Sequence, residues 1–356
     1  MWNKVNVGFN VEEETANFGT RACAVNDVAV YETNTLAAIH AGDEKPTQLP
    51  QVQAQFLQQV GLCVAIDTSL TVFTETCSAA RCIISLQSAI EVFAVTPCGH
   101  FLLVGASGQL SCFHIPTEGS EIFTRTIHSN GMLQSFVTLD TIEENDVIKI
   151  VLLLNNGKLF MSSPVNFPKL EECFSQRKAS AVEELTQLIN FEEKHNIRDL
   201  KSQVQTGHSF VKEKESIFFG TSQNFGFVHV EDFDLVALCD LLEGYKIKKT
   251  GGVVNNSVLF ALCENGHILH ICLYTMIPYY LWTKSPVKDF VVLEGSTAYE
   301  CNLLALVDNG DEGMALILFS WPDFKVNYRL PVEDATFLIN QKGSEEVLFL
   351  EGFGNE

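Results

Sequence analysis

Six times the chain runs an apolar stretch into a tight turn of Gly, Asn, Asp or Ser, then into a stretch where apolar and polar residues alternate. The clearest copy is FLLVGASGQLSCFHI (101–115). Apolar residues run from Phe101 to Val104, a turn falls at Ser107–Gly108, and Leu110, Cys112, Phe113 and Ile115 follow. VLLLNNGKLFMSS (151–163) turns at Asn156–Gly157, and IFFGTSQNFGFVHV (217–230) turns near Gln223. VLFALCENGHILHICLY (258–274) turns at Asn265–Gly266, LLALVDNGDEGMALILFSW (303–321) at Asn309–Gly310, and GLCVAIDTSLTVFTE (61–75) at Asp67. A weaker copy, RACAVNDVAVYE (21–32), is expected to turn at Asn26–Asp27. Each pattern predicts a β-hairpin, because Asn-Gly and Asp-Gly pairs supply the positive φ angles that a tight two-stranded ribbon requires.

Turn centres near 27, 67, 107, 156, 223, 265 and 309 are separated by 40, 40, 49, 67, 42 and 44 residues. Five of the six intervals match the roughly 40–50 residues of a four-stranded propeller blade, and the long one holds an insertion. The expectation is an all-β chain, 1–356, folded as a single β-propeller of seven blades, with eight as the alternative. The long apolar strand of each hairpin then lies buried between neighbouring blades, while the alternating strand packs one face inward and shows the other to water. Residues 92–115 resemble a WD-type blade in outline, with Thr96–Gly99 turning between its first two strands, although Trp-Asp dipeptides are absent. Two stacked sandwiches give similar alternation, but their turns recur every 8–12 residues or so without a longer period. Val347–Leu350 is a strand with no following partner. It either closes the ring against the N-terminal segment or marks a chain cut inside a hairpin.

The long interval contains EECFSQRKASAVEELTQLINFEEKHNIRDLKSQV. Val182, Leu185, Leu188 and Ile189 fall at helical spacing, with Glu183, Glu184 and Gln187 opposite them, so a helical insertion is expected around 176–203. Ser180 and Glu183 stand at capping-box spacing. The stripe either folds back on a blade edge or projects as a partner-docking helix. On the second reading the candidate contact is Leu185, Leu188 and Ile189 with their neighbour Phe191.

Composition narrows the function classes. The 356 residues carry 23 Lys+Arg against 44 Asp+Glu, a formal charge of −21. Phosphate recognition needs clustered cations, so nucleic acid and direct membrane binding are not expected. The longest apolar runs, Ile150–Leu154 and Gly313–Phe319, fall far short of a membrane span, and the N-terminus lacks a secretory apolar core, so a cytoplasmic protein is expected. The 11 cysteines are scattered without a CxxC pair, which fits free thiols acting as small apolar residues. His267 and His270 form H-x-x-H inside a β-type run, where positions three apart point to opposite faces, so no metal site is expected. No G-x-S-x-G, H-E-x-x-H, phosphate loop or dinucleotide fingerprint occurs, and no catalytic or cofactor-binding residues are assigned.

Several segments carry a resemblance to a known family. They are the Met1-Trp2-Asn3 start, the 101–115 hairpin, VLFALCENGHILHICLYTMIPYYLW (258–282) and the closing VLFLEG (347–352), with an insertion in mid-ring. In this order and spacing the chain resembles the N-terminal β-propeller of the Rough deal (Rod) family, in its insect form. These proteins are the large kinetochore-associated subunits of the Rod–Zwilch–Zeste-white-ten (RZZ) complex. The resemblance implies a longer polypeptide continuing into an α-solenoid, and a non-catalytic scaffold contacting Zwilch, with Zeste-white-ten bound through the rest of the chain. It further implies a place in the outer corona of kinetochores and on the spindle, service to the spindle assembly checkpoint, and recruitment of dynein–dynactin through Spindly. No binding residues carry over. The alternative is the propeller of a membrane-coat or vesicle-tether subunit, which shares a ring-plus-solenoid plan.

Overall fold

The structure, a computed structural model, describes residues 2–9, 23–31, 52–57, 61–73, 80–115, 123–129, 134–144, 147–176, 178–198, 200, 202–210, 216–229, 234–254, 258–272, 275, 277–281, 285–294, 301–322, 325–332, 335–340 and 346–351. Among these residues the strands form four-stranded antiparallel sheets. Six are continuous in sequence, spanning 52–85, 90–129, 136–196, 204–240, 247–281 and 287–332, and are called here the first to sixth sheets. A further sheet joins the chain's two ends in the order Cys23–Tyr31, Trp2–Phe9, Glu346–Glu351, Ala335–Asn340. Leading strands of successive sheets touch from Ile90–Val95 through Phe136–Glu144, Val204–Phe210, Ile247–Val254 and Val287–Glu294 to Ala335–Asn340. Ala335–Asn340 in turn reaches Val52–Leu57, and Gly61–Ile66 of the first sheet touches Ile90–Val95. That circuit is a β-propeller.

The long apolar strands sit where their composition requires. In Phe101–Ala106, Phe101 and Leu103 join the apolar layer shared with the third sheet, while Leu102 and Val104 join the layer shared with the first. Val258–Cys263 divides the same way, with Phe260 and Leu262 facing the sixth sheet and Leu259 and Ala261 facing the fourth. Successive side chains of a strand point to opposite faces, and here both faces meet another sheet, so alternation disappears and every position is apolar. Each fully buried leucine contributes on the order of 1.5–3 kcal/mol of transfer free energy.

The following strands are less exposed than an alternating pattern suggests. Asn224–His229 is buried at every position but the last, whereas Gln109–His114 keeps Gln109 exposed and Ser111 and His114 half-buried. The third strand of a sheet also lies between two neighbouring sheets, so its water-facing side is partly covered. Turn chemistry follows the sequence closely. Asn156 Oδ1 accepts the Lys158 N–H at 3.1 Å and Asn265 Oδ1 accepts the His267 N–H at 3.1 Å, while Gly157 and Gly266 take φ +84° and +80°. Both turns therefore fold by one device, an asparagine side chain bracing a left-handed glycine.

Three expectations are corrected. Residues 23–31 do not turn at Asn26–Asp27 but form one strand against Trp2–Phe9, with Asn26 left over where Asn6 pairs Asp27 and Val7 pairs Val25. A bulge absorbs the extra residue without reversing the chain, so an Asn-Asp pair reads as a turn when it is a kink. The helical insertion expected around 176–203 holds a helix there, α2 at Ala179–Gln187, but it begins earlier, with α1 at Phe167–Ser175, and gives way to a strand at Phe191–Asn196. Phe191–Asn196 is the fourth strand of the third sheet, because the strand Lys158–Ser162 needs an edge partner and takes FEEKHN, whose charged residues stay exposed. The expected capping box is also absent. Lys178 is the N-cap of α2, without a side-chain cap hydrogen bond, and Ser180 falls inside the first turn. The closing strand, by contrast, pairs from Asn6–Glu346 to Trp2–Leu350 and joins the N-terminal segment.

Candidate interaction surfaces

The insertion folds back onto its ring. Phe167 and Leu170 of α1 are buried in the layer between second and third sheets, and Phe167 lies 5.1 Å, ring to ring, from the fully buried Phe101. Glu171, one residue further along α1, meets His114 Nε2 at 2.7 Å and His100 Nδ1 at 4.0 Å, both from the second sheet. A helix launched from one sheet is thus pinned to its neighbour by an aromatic contact and a carboxylate–imidazole bond.

Of the four residues expected to form a contact stripe, three have described side chains, and these have different surroundings. Leu188, just past α2, is 66% exposed. Ile189 is 8% exposed and belongs to the inter-sheet layer, while Phe191 packs against that layer with its ring 4.5 Å from His128 of the second sheet. Leu185 falls on α2, and its side chain lies outside the described residues. Beside them, Glu193, Lys194, His195, Asn196, Arg198 and Leu235 line an open groove of about 450 Å³ between third and fourth sheets. Lys158 and Lys194 are held there by Glu193 and Glu192 at 2.7 and 2.5 Å.

A second surface was not anticipated. The leading strand bulges at its second residue in six sheets, leaving Glu91, Val137, Gln205, Lys248, Lys288 and Thr336 unpaired across the ladder. These strands surround the central opening, so the bulges ring its mouth, and a bulge turns its residue away from the regular face. Some of these residues reach the next sheet. Glu91 Oε2 accepts the Phe136 N–H at 2.8 Å, and Lys248 Nζ donates to the Lys288 carbonyl at 3.4 Å. The residue after the bulge faces the seam. Lys249 Nζ lies 2.6 Å from Asp289 Oδ1, which is 4% exposed as a residue and also accepts the Phe290 N–H at 2.9 Å.

Charge at this mouth is uneven. Lys246, Lys248, Lys249 and Lys288 gather here with Glu264, Asp289 and Asp308 as their neighbouring carboxylates, a local excess of base in a chain whose acids outnumber its bases 44 to 23. Lys246 pairs with Glu264 at 2.6 Å and Lys288 with Asp308 at 3.1 Å. The Gly310 N–H, then Lys288, hold the Asp308 carboxyl below its usual range. This run was legible as a local reversal of charge sign, a signal hidden by the bulk net charge.

Nucleophile chemistry is disfavoured where it might be sought. Burial pushes the thiols of Cys112, Cys263 and Cys301 up to about 12, with Cys98 adding to the effect at Cys112, so thiolates do not form near neutrality. Cys98, Cys112, Cys173, Cys263 and Cys301 carry thiols outside any disulfide. Among the described residues no cluster of three or more His, Cys, Asp or Glu is placed to hold a metal ion, and no helix is long and apolar enough to cross a membrane.

Fold and surfaces together define the class, a β-propeller domain whose distinguishing features are a docked helical hairpin and a locally basic channel mouth. Residues 16–356 match the family described as KNTC1, N-terminal, and the chain belongs to that family. It is 21% identical over 376 residues to kinetochore-associated protein 1 of Mus musculus, covering 98% of this chain and 17% of the mouse protein. Against kinetochore-associated protein 1 of Homo sapiens the identity is 21% over 374 residues, with the same coverage of 98% and 17%. The chain therefore spans less than a fifth of the length of these curated relatives.

Proposed function

We propose that this chain is a non-catalytic protein-interaction ring of a kinetochore scaffold, the Rod subunit of an RZZ complex in its insect form. The carrying observation is that nearly the whole chain, 98%, aligns with proteins named kinetochore-associated. Thiols suppressed by burial and a rigid closed sheet circuit support a docking role over a chemical one. The reading counts the composite sheet as a blade, giving seven in all. It places Zwilch on the ring, Zeste-white-ten on the rest of a longer chain, and Spindly with dynein–dynactin downstream, at the outer corona of kinetochores during checkpoint signalling.

Two measurements test it. The tagged full-length protein is expected at unattached kinetochores in mitosis, and a Golgi or vesicle pattern overturns the reading in favour of a coat or tether subunit. The 1–356 chain is expected to co-purify with Zwilch, with crosslinks mapping to its rim or one face. Kinetochore signal without any such crosslink removes Zwilch from the proposal.

A further inference from the structure

We propose that the channel mouth at the fifth and sixth sheets, centred on Lys248 and Lys288, is a docking point for an acidic, extended segment of a partner protein. The inference concerns one sector of the ring and does not depend on which complex the ring serves.

Three observations meet there. First, Lys248 and Lys288 occupy the same bulged position in adjacent sheets, so the fold delivers two ammonium-bearing side chains to one sector of the rim. Their separation is bounded by the contact of Lys248 Nζ with the Lys288 carbonyl. Second, the nearby carboxylates are engaged. Asp289 is buried and taken by Lys249 and the Phe290 N–H, Asp308 is held by the Gly310 N–H and Lys288, and Glu264 lies on Lys246. Lys248 is exposed and has no carboxylate partner among the described residues, and the Lys288 side chain is 50% exposed. Third, the charged groups named here are Lys246, Lys248, Lys249 and Lys288 against Glu264, Asp289 and Asp308, which leaves one positive charge in excess within a chain of −21.

An exposed ammonium group on an otherwise acidic ring gives a partner an address that the remaining surface repels. Wrong registers place like charges together, which costs more than a correct contact gains. The same charge argument selects the occupant. A polyphosphate chain or an anionic bilayer presents dense negative charge over an area wider than this sector and meets the surrounding carboxylates. A peptide with a few spaced carboxylates concentrates its charge on the lysines and offers apolar and backbone groups elsewhere.

The test uses the chain as it is, with a short fluorescein-labelled peptide of alternating glutamate and leucine as probe. Its glutamine counterpart, a single-stranded oligonucleotide and phosphatidylserine vesicles are the comparisons. The acidic peptide is expected to bind, to weaken as salt is raised, and to bind better than the other three. Lys248→Glu is expected to lower its affinity by about tenfold, and Lys248→Glu with Lys288→Glu by more. Lys158→Glu, in the third sheet, should leave affinity unchanged. Among the described residues Lys248 makes no ion pair and gives up only its 3.4 Å contact to the Lys288 carbonyl, and binding is compared only where the variant's melting curve is unaltered. Equal binding by the Lys248→Glu chain, preference for the glutamine peptide, or tighter binding of oligonucleotide or vesicle each overturns the proposal.

Discussion

The docked hairpin at 167–187 and the channel mouth at the fifth and sixth sheets make an instructive pair. In the hairpin region the sequence shows an apolar stripe that looks available, and the fold buries Ile189 while it leaves Leu188 outside, with Phe167 and Leu170 of the preceding helix supplying the contact to the ring. At the mouth the sequence shows a run of lysines that looks like an ordinary solvated strand, and among the described residues the fold gives Lys248 no counter-ion. Apolar residues say little about where a partner binds, because core and interface are built from the same side chains. Charges say more, since each one's neighbours either cancel it or do not.

That contrast can be broken on the consumed side. Phe101→Ala removes a fully buried ring that supports both its own sheet and Phe167 of α1, and is expected to lower stability by about 3–5 kcal/mol in denaturant unfolding. Gly207→Ala drives a Cβ into Thr138 Oγ1 at the seam of third and fourth sheets, so a loss of about 1–3 kcal/mol is expected from the same measurement. On the charged side, Asp289→Asn weakens the contact to Lys249 and is expected to destabilise by roughly 1–3 kcal/mol. Because it also leaves Lys249 less neutralised, it should strengthen binding of the acidic peptide. Unchanged peptide affinity in a folded Asp289→Asn chain would blunt the contrast.

A smaller effect comes from pH. Burial lowers the pKa of His128 and His270 below the ordinary 6.5, so the unfolded chain takes up protons more readily than the folded one. Their contribution is full above about 6.5 and is lost as pH falls through that value toward the folded ones. Unfolding midpoints should therefore drop between neutral and mildly acidic pH. His270→Phe, which keeps a ring against Tyr279 at a site where the centroids lie 4.8 Å apart, should flatten part of the drop. The smallest change is expected for Leu188→Ser, within about 0.5 kcal/mol. A large loss there would mean that the exposed residue is covered after all.

Much of the ring was legible because hairpins announce themselves locally. Asn156-Gly157 and Asn265-Gly266 are turn chemistry in one dimension, and Phe101–Ala106 is apolar throughout because both of its faces meet neighbours. What depended on pairing partners was not legible. Asn26 sits in a bulge because Trp2–Phe9 runs beside it, and Phe191 is in a strand because Lys158–Ser162 lacks an edge partner. The bulged lysines were out of reach for the same reason: a bulge belongs to a register, and a register needs two strands.

The composite sheet has a mechanical consequence. Trp2 lies opposite Leu350 and Asn6 opposite Glu346, so the start of one strand and the finish of the other lie at the same edge of one ladder. Tension between them loads its hydrogen bonds one after another, as in a zipper, instead of sharing the load as in a lap joint. A tug between Trp2 and Leu350 peels this ladder open pair by pair, while a tug along the strands loads the pairs together.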